Sequence, residues 1–214
     1  MMAAFSLFKA VQLTAIHQNE VLAIVVGAGF ASGLNVYATV ATLGLLARSH
    51  IFDLPPALHS VSSWPVIIVA GLLFALEFVA DKIPLFDLLW NALHTFIRVP
   101  IAALLAYGAT QHLSPTAQIL AAVLSGAIAL AAHGGKTAVR AAVTPSPEPF
   151  SNIALSAGED VVSISLTWFA TQHPIIASAI VALLLLTIVF AMRFVFRALK
   201  NLFRRARSRT AQAV

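Results

Sequence analysis

From Val21 to Ala47 the chain carries no aspartate, glutamate, lysine or arginine. A helix needs about 20 such residues, at roughly 1.5 Å of rise each, to cross the hydrocarbon core of a bilayer. Comparable windows recur at 64 to 80, 87 to 111, 116 to 142, 153 to 171 and 174 to 196. In lipid every backbone N–H and C=O must find its partner within the protein, which leaves helices or closed barrels as spanning structures. Windows of this length read as helices. The sequence therefore predicts an all-α, polytopic membrane helix bundle with about six transmembrane helices. Composition excludes the alternatives: 60% of residues are apolar, 10% are charged and the mean hydropathy is +0.92, where a soluble domain has roughly 25% charged residues. Neither a disordered nor a collagen-like chain is so rich in Leu, Ile, Val, Phe and Ala. With no cysteine, disulfides, thiolate metal sites and a Cys nucleophile are excluded.

Breaker-rich segments separate the windows: Asp53-Leu54-Pro55-Pro56, Asp81-Lys82-Ile83-Pro84, Ser114-Pro115, and Thr144-Pro145-Ser146-Pro147-Glu148-Pro149, the last of which cannot be helical. Residues 1–19 carry Lys9, Gln12, His17 and Gln18 among apolar residues and read as an interfacial amphipathic helix. Residues 20–197 form a single transmembrane domain, and 198–214 a basic tail.

The 13 basic and 8 acidic residues leave a net charge of +5. Seven of the bases, Arg193, Arg197, Lys200, Arg204, Arg205, Arg207 and Arg209, lie in one C-terminal stretch. That placement fits a cytoplasmic end attracted to anionic lipid headgroups. Its aromatic residues are limited to Phe194, Phe196 and Phe203, so nucleic acid is not expected as a partner. An even number of spans then puts both termini in the cytoplasm and the chain in the inner membrane. The inside loops hold Lys9, Lys82, Arg140 and the tail, and the outside loops only Arg48.

Residues 31–41 can be laid on residues 132–142 with a shared glycine and polar spacing, which suggests repeats at 20–111 and 116–197. Three spans per unit would make this a 3+3 inverted repeat, with a broken first helix as in many transporters. Chance alignment of Ala- and Gly-rich helices is the alternative.

An ionisable group inside a spanning helix faces a partner or a polar cavity. Asp87, Asn91, His94, Thr95 and Arg98 share one face of the third span, and Pro100 beyond them should kink the helix or free the Phe96 carbonyl. The first span carries Gly27, Gly29 and Gly33 around Ser32 and Asn35, followed by Tyr37 and Thr39. The glycines read either as close helix packing or as a break whose freed backbone lines a site. His133, Lys136 and Arg140 share a face of the fourth span. Glu77 and Asp81 end the second, and Ser156, Glu159, Asp160 and Ser163 share a face of the fifth. Five acids (Glu77, Asp81, Asp87, Glu159, Asp160) thus face four bases (Lys82, Arg98, Lys136, Arg140), a charge network that burial requires to be near neutral.

The segments Gly29–Tyr37, Phe78–Pro84 with His94–Pro100, and His133–Lys136 through Ser146–Asn152 resemble the prokaryotic membrane family known as domain of unknown function 4126, over about residues 21 to 190. The resemblance implies an integral membrane protein and carries no activity with it. It adds the loop residues Glu148, Ser151 and Asn152, which either fold back to the cavity or belong to a rigid connector.

Two functional classes follow. The first is a transporter or channel for a small polar solute or ion, anionic by virtue of Arg98 and Lys136, with a binding site built from Ser32, Gly33, Asn35, Tyr37, His94, Arg98, His133 and Lys136. The second is an intramembrane enzyme acting on a lipid or lipid phosphate through His94 or His133 with Glu159 and Asp160. The chain has no HExxH, GxSxG or P-loop, and no metal or cofactor is expected. A non-catalytic assembly subunit is the third possibility, and homo-oligomerisation is left open.

Overall fold

A computed structural model describes the backbone of residues 21–143 and 149–211. Side chains are described throughout these ranges except at 84–89, 141–143, 149–152, 195–196 and 198–211. The proposed N-terminal helix at 1–19, Glu148, and the side chains of Asp87, Ser151 and Asn152 therefore lie outside what is described. Six helices follow a π-helical stretch at Ala23–Ala28: α1 (Gly29–Arg48), α2 (Trp64–Ala80), α3 (Pro84–Ala109), α4 (Pro115–Val143), α5 (Pro149–Gln172) and α6 (Pro174–Ala211). No strand occurs among the described residues. Five spans are long and apolar enough to cross a membrane alone. The 17-residue α2 qualifies only together with a 3-10 turn at Pro56–Ser62, from which it is bent by 61°. The chain is a multi-pass helical membrane protein.

α1 and its π-helical lead are the axis of the bundle. They pack against α2, α3, α4 and α5, and 83% of their crossing window is buried. Glycine allows this approach. A Cβ at Gly33 would lie 2.3 Å from the Ala129 carbonyl oxygen of α4, and one at Gly29 would lie 2.6 Å from Ser125 Oγ. α6 is the outer helix, with 11% of its window buried. It continues as helix to Ala211.

One expectation needs revision. Residues 49–63, read as a loop, carry Phe52, Leu54, Leu58 and Val61 into an apolar cluster with Leu43 and Leu46 of α1 and Leu105 and Ala109 of α3. Pro56 begins the turn there because its fixed φ suits a first helical position. The segment is a packed cap. α3 runs on as helix through Pro100, whose missing N–H leaves the Phe96 carbonyl without its helical donor, one of the two outcomes expected there.

Candidate functional site

The two readings of the first span both hold, at neighbouring positions. Gly29 and Gly33 serve packing, and the helix breaks two residues later, at Asn35, whose φ of −150° and ψ of 104° are extended. Asparagine competes with the helix by bonding to nearby backbone. Here its Oδ1 accepts from the Ala38 N–H at 3.0 Å, which makes Asn35 the N-cap of a restarted helix.

A helix end leaves its last four carbonyls without intrahelical donors. At this break side chains from three other helices meet the carbonyls of Ala31, Gly33 and Leu34. Ser163 Oγ of α5 lies 3.1 Å from the carbonyl oxygens of both Ala31 and Asn35. Arg98 Nη1 of α3 donates to the Gly33 carbonyl at 3.5 Å, and Lys136 Nζ of α4 to the Leu34 carbonyl at 3.1 Å. Thr39 Oγ1 donates to the Asn35 carbonyl at 2.9 Å. Two cations thus sit at the C-terminal, electronegative end of the first half-helix, where the helix dipole favours them.

The same cations hold the acids. Arg98 Nη2 pairs with Glu77 Oε1, and neither side chain has any exposure. Lys136 Nζ lies 3.3 Å from Asp81 Oδ2, 3.2 Å from Glu159 Oε2 and 3.8 Å from Glu77 Oε1. Arg140 Nη2 reaches Asp81 Oδ2 at 2.8 Å and Glu159 Oε2 at 2.5 Å. Asp160 touches none of these cations and instead accepts from Asn35 Nδ2 at 2.8 Å. Lys82 stands apart: it donates to the Phe78 carbonyl at 2.6 Å and lies 2.9 Å above the Phe78 ring.

Hydrogen bonding fixes His133 as a neutral tautomer. Arg98 is always a donor, so His133 Nδ1, 2.6 Å from Nη1, must accept, and its Nε2–H donates to Thr95 Oγ1 at 2.8 Å. His94 donates from Nδ1 to the Trp90 carbonyl at 2.7 Å and shares a hydrogen bond at Nε2 with the Tyr37 hydroxyl at 3.0 Å, its ring stacked on Trp90. His94 thereby ties Tyr37 of α1 to α3.

Ser32, Gly33, Asn35, Tyr37, His94, Arg98, His133 and Lys136 are thus drawn together around one break, joined by Glu77, Asp81, Arg140, Glu159 and Asp160. Ser32 is fully buried, and its Oγ has no hydrogen-bond partner. Sequence reasoning offered a break with freed backbone here but did not name the carbonyls that meet side chains, those of Ala31, Gly33 and Leu34. The signal was a single Asn inside a glycine-containing apolar run. The positions that a repeat would equate behave unequally. Asn35 and Lys136 both reach the site, yet α4 is continuous where α1 breaks, and a methyl group at Gly134 would meet nothing within 4 Å.

A bundle of apolar helices around an interrupted axial helix, with its interruption filled by paired charges, defines a polytopic membrane protein with a polar intramembrane centre. The chain belongs to the domain of unknown function family DUF4126, whose model matches residues 22–194. No curated protein and no solved structure gives a significant match.

Proposed function

We propose that this protein is a small transporter or channel that carries a small polar solute or ion past the interruption in α1. The observation that carries the reading is the break at Asn35, whose freed carbonyls are met by Arg98, Lys136 and Ser163. Non-helical backbone at membrane depth is tolerated where it is enclosed by protein or lines a polar cavity, and discontinuous helices of this kind build solute and ion sites in transporters. Arg98 and Glu77 are fully buried, so the centre is occluded in this conformation. An occluded centre is one state of an alternating-access cycle. Because Arg98 and Lys136 are both engaged by carboxylates, the preference for an anion loses its basis, and the proposal is limited to a small polar solute or ion. The basic C-terminal end supports cytoplasmic termini, an inner-membrane location and contact with anionic lipid headgroups.

Uptake by the protein reconstituted in liposomes tests this, with organic and inorganic anions and cations offered with and without a proton gradient. Wild type is expected to move at least one of them and Asn35→Ala to lose most of that flux. If wild type moves none, and Asn35→Ala and Lys136→Ala fold and keep full function in cells lacking the native protein, the reading is overturned.

One observation favours a second reading, action on a lipid. An open-sided apolar groove of about 330 Å³, lined by Tyr37, Val40, Pro65, Val69, Leu73 and Ile101, has the dimensions and chemistry of an acyl-chain site. Tyr37 links it to His94.

A further inference from the structure

The buried centre holds more negative than positive charge. Among the described residues Arg98, Lys136 and Arg140 face Glu77, Asp81, Glu159 and Asp160, and His133, which accepts from Arg98, is held neutral. One carboxylate is left over, and the contacts identify it. Glu77, Asp81 and Glu159 each touch a cation, whereas Asp160 is bonded only by the neutral amide of Asn35, at Oδ1. Asp160 is 4% exposed, and its Oδ2 has no hydrogen-bond partner. Ser156, one turn earlier on the same face of α5, is fully buried, and its Oγ also lacks a partner. An uncompensated carboxylate enclosed in protein is among the most costly groups a membrane helix can carry.

We infer that Asp160 is a reversible proton-binding site, with the proton on Oδ2 and the Asn35 amide retained on Oδ1. The step is an addition: a carboxylate takes one proton from water and becomes a neutral carboxyl, which brings the described centre to zero net charge. The groups that tune it come from every neighbour of α5. α4 brings Lys136, Arg140 and His133, α2 brings Glu77 and Asp81, α1 brings Tyr37 beside Asn35, and α5 itself brings Glu159. α6 carries no titratable side chain between Pro174 and Met192. That this proton drives or gates flux rests on the transport reading above; that it binds does not.

Infrared difference spectroscopy on the purified full-length protein, stepped from alkaline to acidic pH, reads the proton directly. Wild type is expected to gain the carbonyl stretch of one buried, protonated carboxylic acid. Asp160→Asn, which mimics the neutral form in shape, is expected to fold and lose that band. Glu77→Gln serves as the comparison and should keep it. Survival of the band in Asp160→Asn, its absence in wild type, or its abolition by Na+ at constant pH would each overturn the assignment. If the band behaves as expected while liposomes show no flux, the proton site stands and the transport reading fails.

Discussion

α1 and α6 are both charge-free over a full membrane crossing, yet they occupy opposite places. α6 has the higher mean hydropathy, 2.9 against 1.5, and is the outer helix, with 11% of its window buried against 83% for α1. In water the order would be reversed. Lipid tails are as apolar as leucine, so a helix gains little by leaving them, and what draws helices together is close packing and polar contact. α1 offers both, through Gly29 and Gly33 on one side and Ser32, Asn35 and Thr39 among its buried residues. The comparison teaches that in this chain polarity and small size, more than apolarity, mark the centre.

The largest effect should come from breaking the polar side of that contrast. Arg98→Ala leaves Glu77 fully buried and without its arginine, and should cost about 3–5 kcal/mol. Thermal unfolding in detergent measures it, and adding Glu77→Gln should recover most of the loss. An unchanged melting temperature would refute the pair. A middle-sized effect tests the packing side. Gly33→Ala drives a methyl group against the Ala129 carbonyl and should cost about 1–3 kcal/mol, whereas Gly134→Ala, with open space around it, should be neutral or mildly stabilising. Equal effects at the two glycines would break the comparison. The smallest effect belongs to α6. Leu183, 64% exposed, should tolerate Ala within about 0.5 kcal/mol in the same assay.

Much of this was legible in the sequence because lipid imposes simple rules. Long apolar windows with few charges gave the helices, and helical spacing put Asn91, His94, Thr95 and Arg98 on one face. The cost of buried charge required partners for Arg98 and Lys136. Other features were not legible for physical reasons. Which acid meets which base depends on the rotation of helices far apart in sequence, so Lys82 counts as a member of the network until the fold shows it folded back on Phe78. Residues 49–63 look like a loop because proline dominates local propensity, while their burial is decided by tertiary contacts of Phe52 and Leu58. A helix break is a backbone event, and a lone Asn announces it only weakly.

The extended backbone at Asn35 also has a mechanical meaning. A continuous helix resists bending through its ladder of hydrogen bonds, but here that ladder is already cut. Its two halves are anchored differently: Phe30 and Leu34 pack with residues of α4, α5 and α6, while Leu43 and Leu46 pack with the 49–63 cap and α3. Across the break the polar link is Ser163, whose hydroxyl lies 3.1 Å from the carbonyls of both Ala31 and Asn35, a bond worth roughly 0.5–1.5 kcal/mol. The angle between the halves is therefore held by that one hydroxyl together with apolar packing of Ile24 and Ala28 in the cluster of Leu43 and Leu46.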